Sequence, residues 1–208
     1  MARIAVIGAG LMGHGIAFIF ASNGHKVSLS DAHPPTLESA PKRIEGLFEL
    51  LNADKNGLAN IEYHGELKKA VESAEFVFEA VAEKPEVKQT VFAQLDQHAP
   101  ATAILCTNTS AIPIKEVGAK VAKQARVVGT HYWNPPHLIP LVEVVQAEFT
   151  SQDTVDKVMQ LFKSVGMSPV HVKKDIPGFI GNRLQQNLPS LINELQRLGV
   201  QCTAIQVK

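Results

Sequence analysis

The sequence predicts an α/β fold in which helices cover both faces of a mostly parallel β-sheet. Short apolar runs alternate with longer helical stretches through most of the 208 residues, and this alternation is typical of strands joined by crossover helices. The first apolar run leads directly into a glycine-rich turn and a helix, which is how a doubly wound fold begins. The length is sufficient for one full α/β domain and part of a second.

Eight strands are predicted from apolar runs bounded by turn residues. They cover residues 4–7, 27–30, 61–64, 76–79, 103–107, 126–130, 141–145 and 169–172. Helices are predicted between them at residues 11–22, 36–51, 65–73, 85–98 and 151–164. Asn23-Gly24 is expected to end the first helix, and Pro85 lies at the first turn of the fourth.

A change of pattern near residue 176 predicts a boundary between two domains. Residues 175–178 read Asp-Ile-Pro-Gly, which is typical of a linker. Residues 179–198 then have helical periodicity, but Pro189 lies inside them and is expected to split or kink the helix. We predict a Rossmann-type domain over residues 1–176 and the start of a truncated, all-helical domain over residues 177–208.

Gly8, Gly10 and Gly13 lie between the first predicted strand and its helix. In this pattern the first glycine permits a tight turn, the second leaves room for a pyrophosphate, and the third lets the helix pack closely on the strand. The helix start, with Leu11 and Met12, supplies backbone N–H groups and the positive end of the helix dipole. These five residues are predicted to bind a dinucleotide, and the alternative is a glycine-rich turn without a ligand.

Asp31 ends the second predicted strand, about 20 residues after the glycines, where a carboxylate binds ribose hydroxyls. It would repel the 2′-phosphate of NADP, and residues 32–35 contain no arginine or lysine to neutralise that group. We therefore predict NAD as the cofactor. The alternative for Asp31 is a turn residue ahead of Pro34 and Pro35.

Charge and cysteine content narrow the class of partner. Lysine and arginine (20) balance aspartate and glutamate (20), which gives no indication of a nucleic-acid or membrane surface. The histidines other than His131 show no pairing at metal-ligand spacing. Cys106 and Cys202 are too few for a disulfide framework. We expect a cytoplasmic protein that binds a small molecule, with no metal, nucleic acid or membrane as partner.

His131 closes the strand predicted at residues 126–130, and Glu143 lies among apolar neighbours in the strand at residues 141–145. A carboxylate in an apolar strand is costly unless it is paired, and the intervening loop brings the chain back towards His131. Such a pair would fix one imidazole nitrogen and leave the other to take a proton from an alcohol during hydride transfer to nicotinamide. The alternative is a structural pair or two unrelated residues.

Six motifs follow one another from the first residues to about Leu184. In order and spacing they resemble motifs of the 3-hydroxyacyl-CoA dehydrogenase family. They are Gly8-Ala9-Gly10-Leu11-Met12-Gly13, Glu79-Ala80-Val81-Ala82-Glu83, Thr107-Asn108-Thr109-Ser110, His131-Tyr132-Trp133-Asn134-Pro135, Leu141-Val142-Glu143-Val144-Val145 and Pro177-Gly178-Phe179-Ile180-Gly181-Asn182-Arg183.

The resemblance implies a role for each matching side chain. His131 matches the catalytic base of the family and Glu143 its orienting partner, while Ser110 and Asn182 match residues that hydrogen-bond the reacting oxygen of the substrate. The open alternatives are a helix cap for Ser110, a buried amide for Asn182 and a solvated helix charge for Lys88. The matches on the cofactor side are Ala82, Glu83, Lys88, Ser110 and Asn134.

Two observations leave the substrate open between two classes. Acyl-CoA members usually carry a basic residue shortly after the ribose aspartate, but residues 32–36 contain none. Residues 134–141 are also similar to a branch with L-carnitine dehydrogenase and lambda-crystallin (L-gulonate 3-dehydrogenase), whose substrates are free hydroxy acids. We predict an NAD-dependent dehydrogenase of 3-hydroxyacyl-CoA, with a free 3-hydroxy acid as the alternative substrate.

The resemblance also concerns the helical region. Family members continue after Asn182-Arg183 into a helical domain that covers the substrate and forms the dimer, and we expect this chain to hold only its beginning. A competing hypothesis is therefore a protein that binds NAD(H) with little turnover. Self-association would cover the apolar helix positions, and we expect a homo-oligomer; these positions are Leu188, Leu191, Ile192 and Leu195.

Overall fold

A computed structural model describes residues 1–198, so Cys202 lies outside the described residues. Eight strands form one sheet in the order β3-β2-β1-β4-β5-β6-β7-β8. All eight predicted strands are confirmed, with ends that differ by a residue or two. They are β1 (Arg3–Ile7), β2 (Lys26–Ser30), β3 (Ile61–His64), β4 (Phe76–Glu79), β5 (Ile104–Thr107), β6 (Val127–Tyr132), β7 (Leu141–Val145) and β8 (Ser168–Val172).

The sheet is parallel from β3 to β6 and changes direction once. β7 pairs antiparallel with β6, and β8 runs parallel to β7. The reversal follows from the connection between β6 and β7, which is a loop and not a crossover helix. The carboxyl ends of β1, β2, β4, β5 and β6 therefore meet at one edge of the sheet, where doubly wound folds bind their ligands.

Helices cover both faces of the sheet, as predicted. The alternation of side chains along each strand divides the core in two, because Ile4 and Val6 of β1 face one layer while Ala5 and Ile7 face the other. The helices are α1 (Gly13–Ser22), α2 (Pro34–Leu50), α3 (Leu67–Val71), α4 (Pro85–His98), α5 (Ile114–Val117), α6 (Gln152–Ser164) and α7 (Gly181–Arg197). Residues of α1, α2 and α6 pack in the first layer, and residues of α3, α4 and α5 in the second.

The last helix is not split at its internal proline. α7 is continuous with Pro189 inside it, so the expected split is wrong, while the alternative of a kink stays a prediction. A proline removes one backbone N–H, and on an exposed helix water can satisfy the carbonyl that loses its donor. The proposed domain boundary at residue 176 falls between β8 and α7. Within residues 1–198, no helix combines the length and apolar content that a membrane crossing requires.

The helix α5 was not predicted, because four residues are too few to show a periodic pattern. Its start is held by a distant side chain. The two carboxylate oxygens of Asp175 accept hydrogen bonds from the N–H groups of Ile114 at 2.9 Å and Lys115 at 2.8 Å. The segment predicted as a linker therefore also fixes the turn that follows β5.

Candidate active site

The glycine-rich loop between β1 and α1 has close backbone contacts at its two ends and open space in its middle. Gly8 has φ of +102°, and a Cβ atom there would lie 2.5 Å from the carbonyl oxygen of Ala80. A Cβ atom on Gly13 would collide with the carbonyl oxygen of Gly8. By contrast, apart from Gly10 itself and its two chain neighbours, no atom of the described residues lies within 4 Å of a Cβ atom built on Gly10. This is the arrangement that a bound diphosphate needs.

Asp31 lies beside this loop at the end of β2. Its Oδ2 accepts a hydrogen bond from the N–H of Ala9 at 2.8 Å, and its Oδ1 accepts one from the N–H of His33 at 2.8 Å. Each oxygen keeps a lone pair for a ribose hydroxyl. A groove of about 540 Å³ runs from Asp31 past the glycine-rich loop to Ala82, in the turn after β4. The groove therefore joins the predicted ribose carboxylate to the predicted diphosphate turn.

Three other residues predicted on the cofactor side differ in exposure. Leu11 is 66% exposed, while Met12 packs against the core. Because both side chains are apolar, only the backbone N–H groups of this turn can donate hydrogen bonds to a phosphate. Asn134 is exposed on the loop between β6 and β7, where a cis peptide bond joins it to Pro135.

A buried ion pair lies behind the turn after β4. The Nζ atom of Lys88 is 2.8 Å from Oε1 of Glu79 and 3.3 Å from Oε2 of Glu83. The side chains of Lys88 and Glu79 are only 1% and 0% exposed. The alternative of a solvated helix charge at Lys88 is therefore wrong, because the burial of this ammonium group is compensated by carboxylates.

Glu83 connects this ion pair to the loop that carries Ser110. Its Oε1 accepts hydrogen bonds from the hydroxyl of Thr109 at 2.6 Å and from the N–H groups of Ser110 at 2.8 Å and Ala111 at 3.2 Å. Burial raises the pKa of Glu83, but these donors and the charge of Lys88 outweigh it and hold the pKa below its ordinary value. The carboxylate is thus an anchor for the Ser110 loop.

His131 and Glu143 face each other where β6 pairs with β7. The antiparallel register sets the two residues directly opposite, and the imidazole Nδ1 lies 2.7 Å from Oε2 of Glu143. Their side chains are 6% and 4% exposed. Ring centres of Trp133 and Phe179 each lie 5.7 Å from the imidazole. Because Nδ1 is engaged, Nε2 is the nitrogen left to meet a substrate.

Glu143 also holds the start of α7. Its Oε1 accepts hydrogen bonds from the N–H groups of Ile180 and Gly181, both at 3.0 Å. Burial raises the pKa of Glu143, but the hydrogen bonds from His131, Gly181 and Ile180 outweigh it and lower the pKa overall. A Cβ atom on Gly181 would collide with the ring of Trp133, so only a glycine permits this close approach.

The start of α7 brings the other two predicted catalytic residues to the same place. The side-chain amide of Asn182 donates to the carbonyl oxygen of Ser110 at 2.8 Å. Ser110 is thus held from two sides, by Glu83 through its N–H and by Asn182 through its carbonyl. A continuous series of contacts links Ser110, Asn182, Glu143 and His131 at the edge of the sheet that also holds the glycine-rich loop.

Some residues of this arrangement were not identified from the sequence. Glu79 is one, although it carries the same signal as Glu143, a single acid in an apolar strand. Phe179, with φ of +47° and a fully buried ring, is another, and no residue type predicts such a conformation there. Among the described residues, no group of three or more histidine, cysteine, aspartate or glutamate side chains is placed to hold a metal ion.

Proteins similar to this chain are dehydrogenases that are named for different substrates. The chain is 36% identical over 203 residues to 5-formyl-3-hydroxy-2-methylpyridine 4-carboxylate 5-dehydrogenase of Mesorhizobium japonicum, covering 95% of this chain and 66% of that protein. It is 36% identical over 195 residues to the mitochondrial hydroxyacyl-coenzyme A dehydrogenase of Sus scrofa, covering 88% and 62%. The chain thus spans about two thirds of the length of these relatives.

A solved structure and a family model agree with these matches. The crystal structure of 3-hydroxybutyryl-CoA dehydrogenase from Escherichia coli K12 superposes with a TM-score of 0.86 at 33% identity, over 96% of this chain and 44% of that one. Residues 3–176 match the family model described as 3-hydroxyacyl-CoA dehydrogenase, NAD binding domain. The chain with the glycine-rich loop, Asp31 and the His131–Glu143 pair is a member of the 3-hydroxyacyl-CoA dehydrogenase family.

Proposed function

We propose that this chain interconverts an L-3-hydroxyacyl-CoA and its 3-oxoacyl-CoA with NAD as the hydride carrier. The observation that carries the proposal is the 2.7 Å contact between His131 Nδ1 and Glu143, at the same sheet edge as Asp31 and the glycine-rich loop. A carboxylate-held imidazole beside a dinucleotide groove is what the oxidation of an alcohol requires.

In this proposal His131 is the general base. Its Nε2 takes the proton of the C3 hydroxyl, while Nδ1–H remains hydrogen-bonded to Glu143. The ionised carboxylate of Glu143 fixes the tautomer and stabilises the imidazolium that forms. Its lowered pKa keeps it ionised at neutral pH. When bound, NAD supplies the acceptor for the hydride that leaves C3.

Ser110 and Asn182 are proposed to orient the reacting oxygen. The backbone of Ser110 is fixed by Glu83 and by the amide of Asn182, which supports a directed role for its hydroxyl. Lys88 is enclosed behind the groove, so we assign its effect on the cofactor side to its contact with Glu83, at 3.3 Å. Gly8, Gly10, Gly13, Leu11 and Met12 form the diphosphate site in this proposal, and Ala82 borders the groove. Asn134 lies on the loop after β6 and is proposed to contact the nicotinamide side of the cofactor.

A free hydroxy acid is the second candidate substrate. The relative from Mesorhizobium japonicum is named for a pyridine carboxylate and not for a CoA thioester. Residues 32–36 also lack the cation that acyl-CoA members usually carry after the ribose aspartate. The groups proposed to act on C3 would serve either substrate.

We also propose that the chain acts as a homo-oligomer. Within residues 1–198, α7 has no buried side chain. Three of its leucines are exposed to water, at 66% for Leu184, 37% for Leu188 and 50% for Leu191. Burying such a surface against a second copy is favourable.

The experiment that tests the proposed function follows NADH by its absorbance. Purified chain is assayed with acetoacetyl-CoA and NADH, and in parallel with NAD and free 3-hydroxy acids such as L-carnitine and L-gulonate. We expect turnover of the thioester to exceed that of the free acids. Turnover of a free acid alone would select the second candidate, and NADH binding without turnover of any of these compounds would contradict the proposed activity.

A further inference from the structure

A cation from outside the glycine-rich loop reaches its carbonyl oxygens. The guanidinium of Arg43, on α2, donates from Nη2 to the carbonyl of Ala9 at 2.7 Å and to that of Thr36 at 2.9 Å. Its Nη1 donates to the carbonyl of Gly10 at 3.3 Å. Two consecutive peptide groups of the loop are therefore held by one side chain that lies twelve positions beyond Asp31.

These contacts determine which way the loop amides point. In a planar trans peptide the C=O of one residue and the N–H of the next point in opposite directions. When Arg43 holds the carbonyls of Ala9 and Gly10, the N–H groups of Gly10 and Leu11 are turned away from the guanidinium. Those N–H groups belong to the turn that binds a diphosphate in this fold.

Within residues 1–198 Arg43 forms no ion pair with a carboxylate, unlike two other arginines. Arg126 lies 2.8 Å from Asp96 and Arg3 lies 3.4 Å from Glu75. In the part of the chain that the structure describes, Arg43 has carbonyl and imidazole partners, and no carboxylate oxygen within the 4.0 Å of an ion pair. Carbonyl dipoles hold a guanidinium in place without neutralising it, so its field extends to the nearby loop.

His14 adds a contact to this cluster without adding a second charge at neutral pH. Its Nδ1 lies 2.7 Å from the carbonyl oxygen of Gly10 and 3.1 Å from Nη1 of Arg43. Burial lowers the pKa of His14, the contact with Gly10 opposes this, and the charge of Arg43 lowers it further, so the imidazole is neutral at pH 7. Arg43 is thus the charged member of the cluster.

We propose that Arg43 is a positioning residue for the cofactor, which aims the Gly10 and Leu11 amides at the diphosphate and contributes a positive charge beside it. Both backbone polar groups of Ala9 are hydrogen-bonded to charged side chains, since its N–H donates to Asp31 and its carbonyl accepts from Arg43. The inference rests on NAD binding by this domain and not on the reaction that we propose, so a failed turnover assay leaves it intact.

The test measures NADH affinity by fluorescence titration for Arg43→Met, Arg43→Lys and a control, Lys42→Met. Lys42 is the exposed neighbour on α2, and its replacement removes the same charge without touching the loop. We expect Arg43→Met to weaken NADH binding about 10-fold in about 0.05 M salt, and less in about 0.5 M salt, because salt screens the charge. Arg43→Lys keeps the charge but loses the geometry, and is expected to weaken binding about threefold.

Each outcome of the titration decides one part of the proposal. Lys42→Met is expected to bind NADH within about twofold of the wild type. Wild-type affinity in both Arg43 variants would overturn the proposal, as would equal losses in Arg43→Met and Lys42→Met. A loss that does not decrease with salt would remove the contribution of charge. If Arg43→Met does not fold, Arg43→Lys decides alone, and wild-type affinity in that variant would overturn the role of the loop contacts.

Discussion

Two buried glutamates, Glu79 on β4 and Glu143 on β7, have nearly the same surroundings but support different kinds of site. Each lies in an apolar strand, is almost fully enclosed and has a basic side chain as partner. Glu79 also accepts a hydrogen bond from one backbone N–H group, and Glu143 from two. The partner of Glu79 is Lys88, at 2.8 Å, and the partner of Glu143 is His131, at 2.7 Å.

The type of basic partner, lysine or histidine, determines whether a buried glutamate can support proton transfer. A lysine has a single nitrogen, which the carboxylates occupy here, whereas an imidazole has a second nitrogen that can exchange a proton with a substrate. Glu79 also accepts a hydrogen bond from the hydroxyl of Thr107 at 2.6 Å, which completes a closed network. Burial of a charge therefore does not by itself indicate a catalytic group. The ability of its partner to exchange a proton is the better indicator.

The largest effect on stability is expected at the lysine. Replacing Lys88 with Met leaves the carboxylate of Glu79 buried without a counter-charge, which costs about 3 to 5 kcal/mol. Unfolding in urea measures this loss. The double variant Glu79→Gln with Lys88→Met removes both charges and should regain part of the stability, whereas an equal or larger loss in the double variant would contradict the account of an essential ion pair.

A smaller loss is expected where α7 begins beside Glu143. In Gly181→Ala the added methyl group meets the ring of Trp133, and such overpacking costs about 1 to 3 kcal/mol. Gly46→Ala is the matched control, because Gly46 lies inside α2. Apart from its chain neighbours and the nearby backbone of its own helix, no described atom is within 4 Å of the position that its methyl group would take. The control should be neutral or stabilising by up to about 1 kcal/mol. Equal stability of the two variants would show that α7 is not held as we describe.

The smallest effect concerns pH. Because the pKa of folded Glu143 is below its ordinary value of 4.5, its interactions stabilise the fold above that pH, and this contribution is lost as the pH falls through the lowered pKa. The stability difference between the wild type and Glu143→Gln should therefore decrease from pH 6 towards pH 3, as measured by urea unfolding. The exposed Glu38→Gln serves as a control, and a difference that stays constant with pH would contradict the assignment.

Local patterns in the sequence predicted most of the fold. Apolar runs located all eight strands, and the spacing of Gly8, Gly10, Gly13 and Asp31 predicted a dinucleotide site, because the groups that form it lie close together in the chain. The pairing of His131 with Glu143 was also predicted, since a short loop between two strands restricts which residues meet.

Contacts between elements that are distant in the chain could not be predicted from local sequence patterns. Arg43 reaches the glycine-rich loop from α2, and Lys88 reaches Glu79 from α4, although both look like ordinary surface charges in a helical pattern. α7 continues through Pro189 with no side chain buried, and periodicity did not reveal this continuity. These features depend on how helices pack against the sheet, and no local signal encodes that.

In the proposed reaction His131 moves the proton, while the glycine-rich loop and Asp31 hold the cofactor. The most direct test separates these two tasks in one variant. His131→Gln is compared with the wild type for turnover of its best substrate and for NADH affinity. We expect turnover to fall by about 10²- to 10⁴-fold while NADH affinity stays within about twofold. Wild-type turnover in this variant, or a loss of turnover that matches a loss of NADH affinity, would contradict the account.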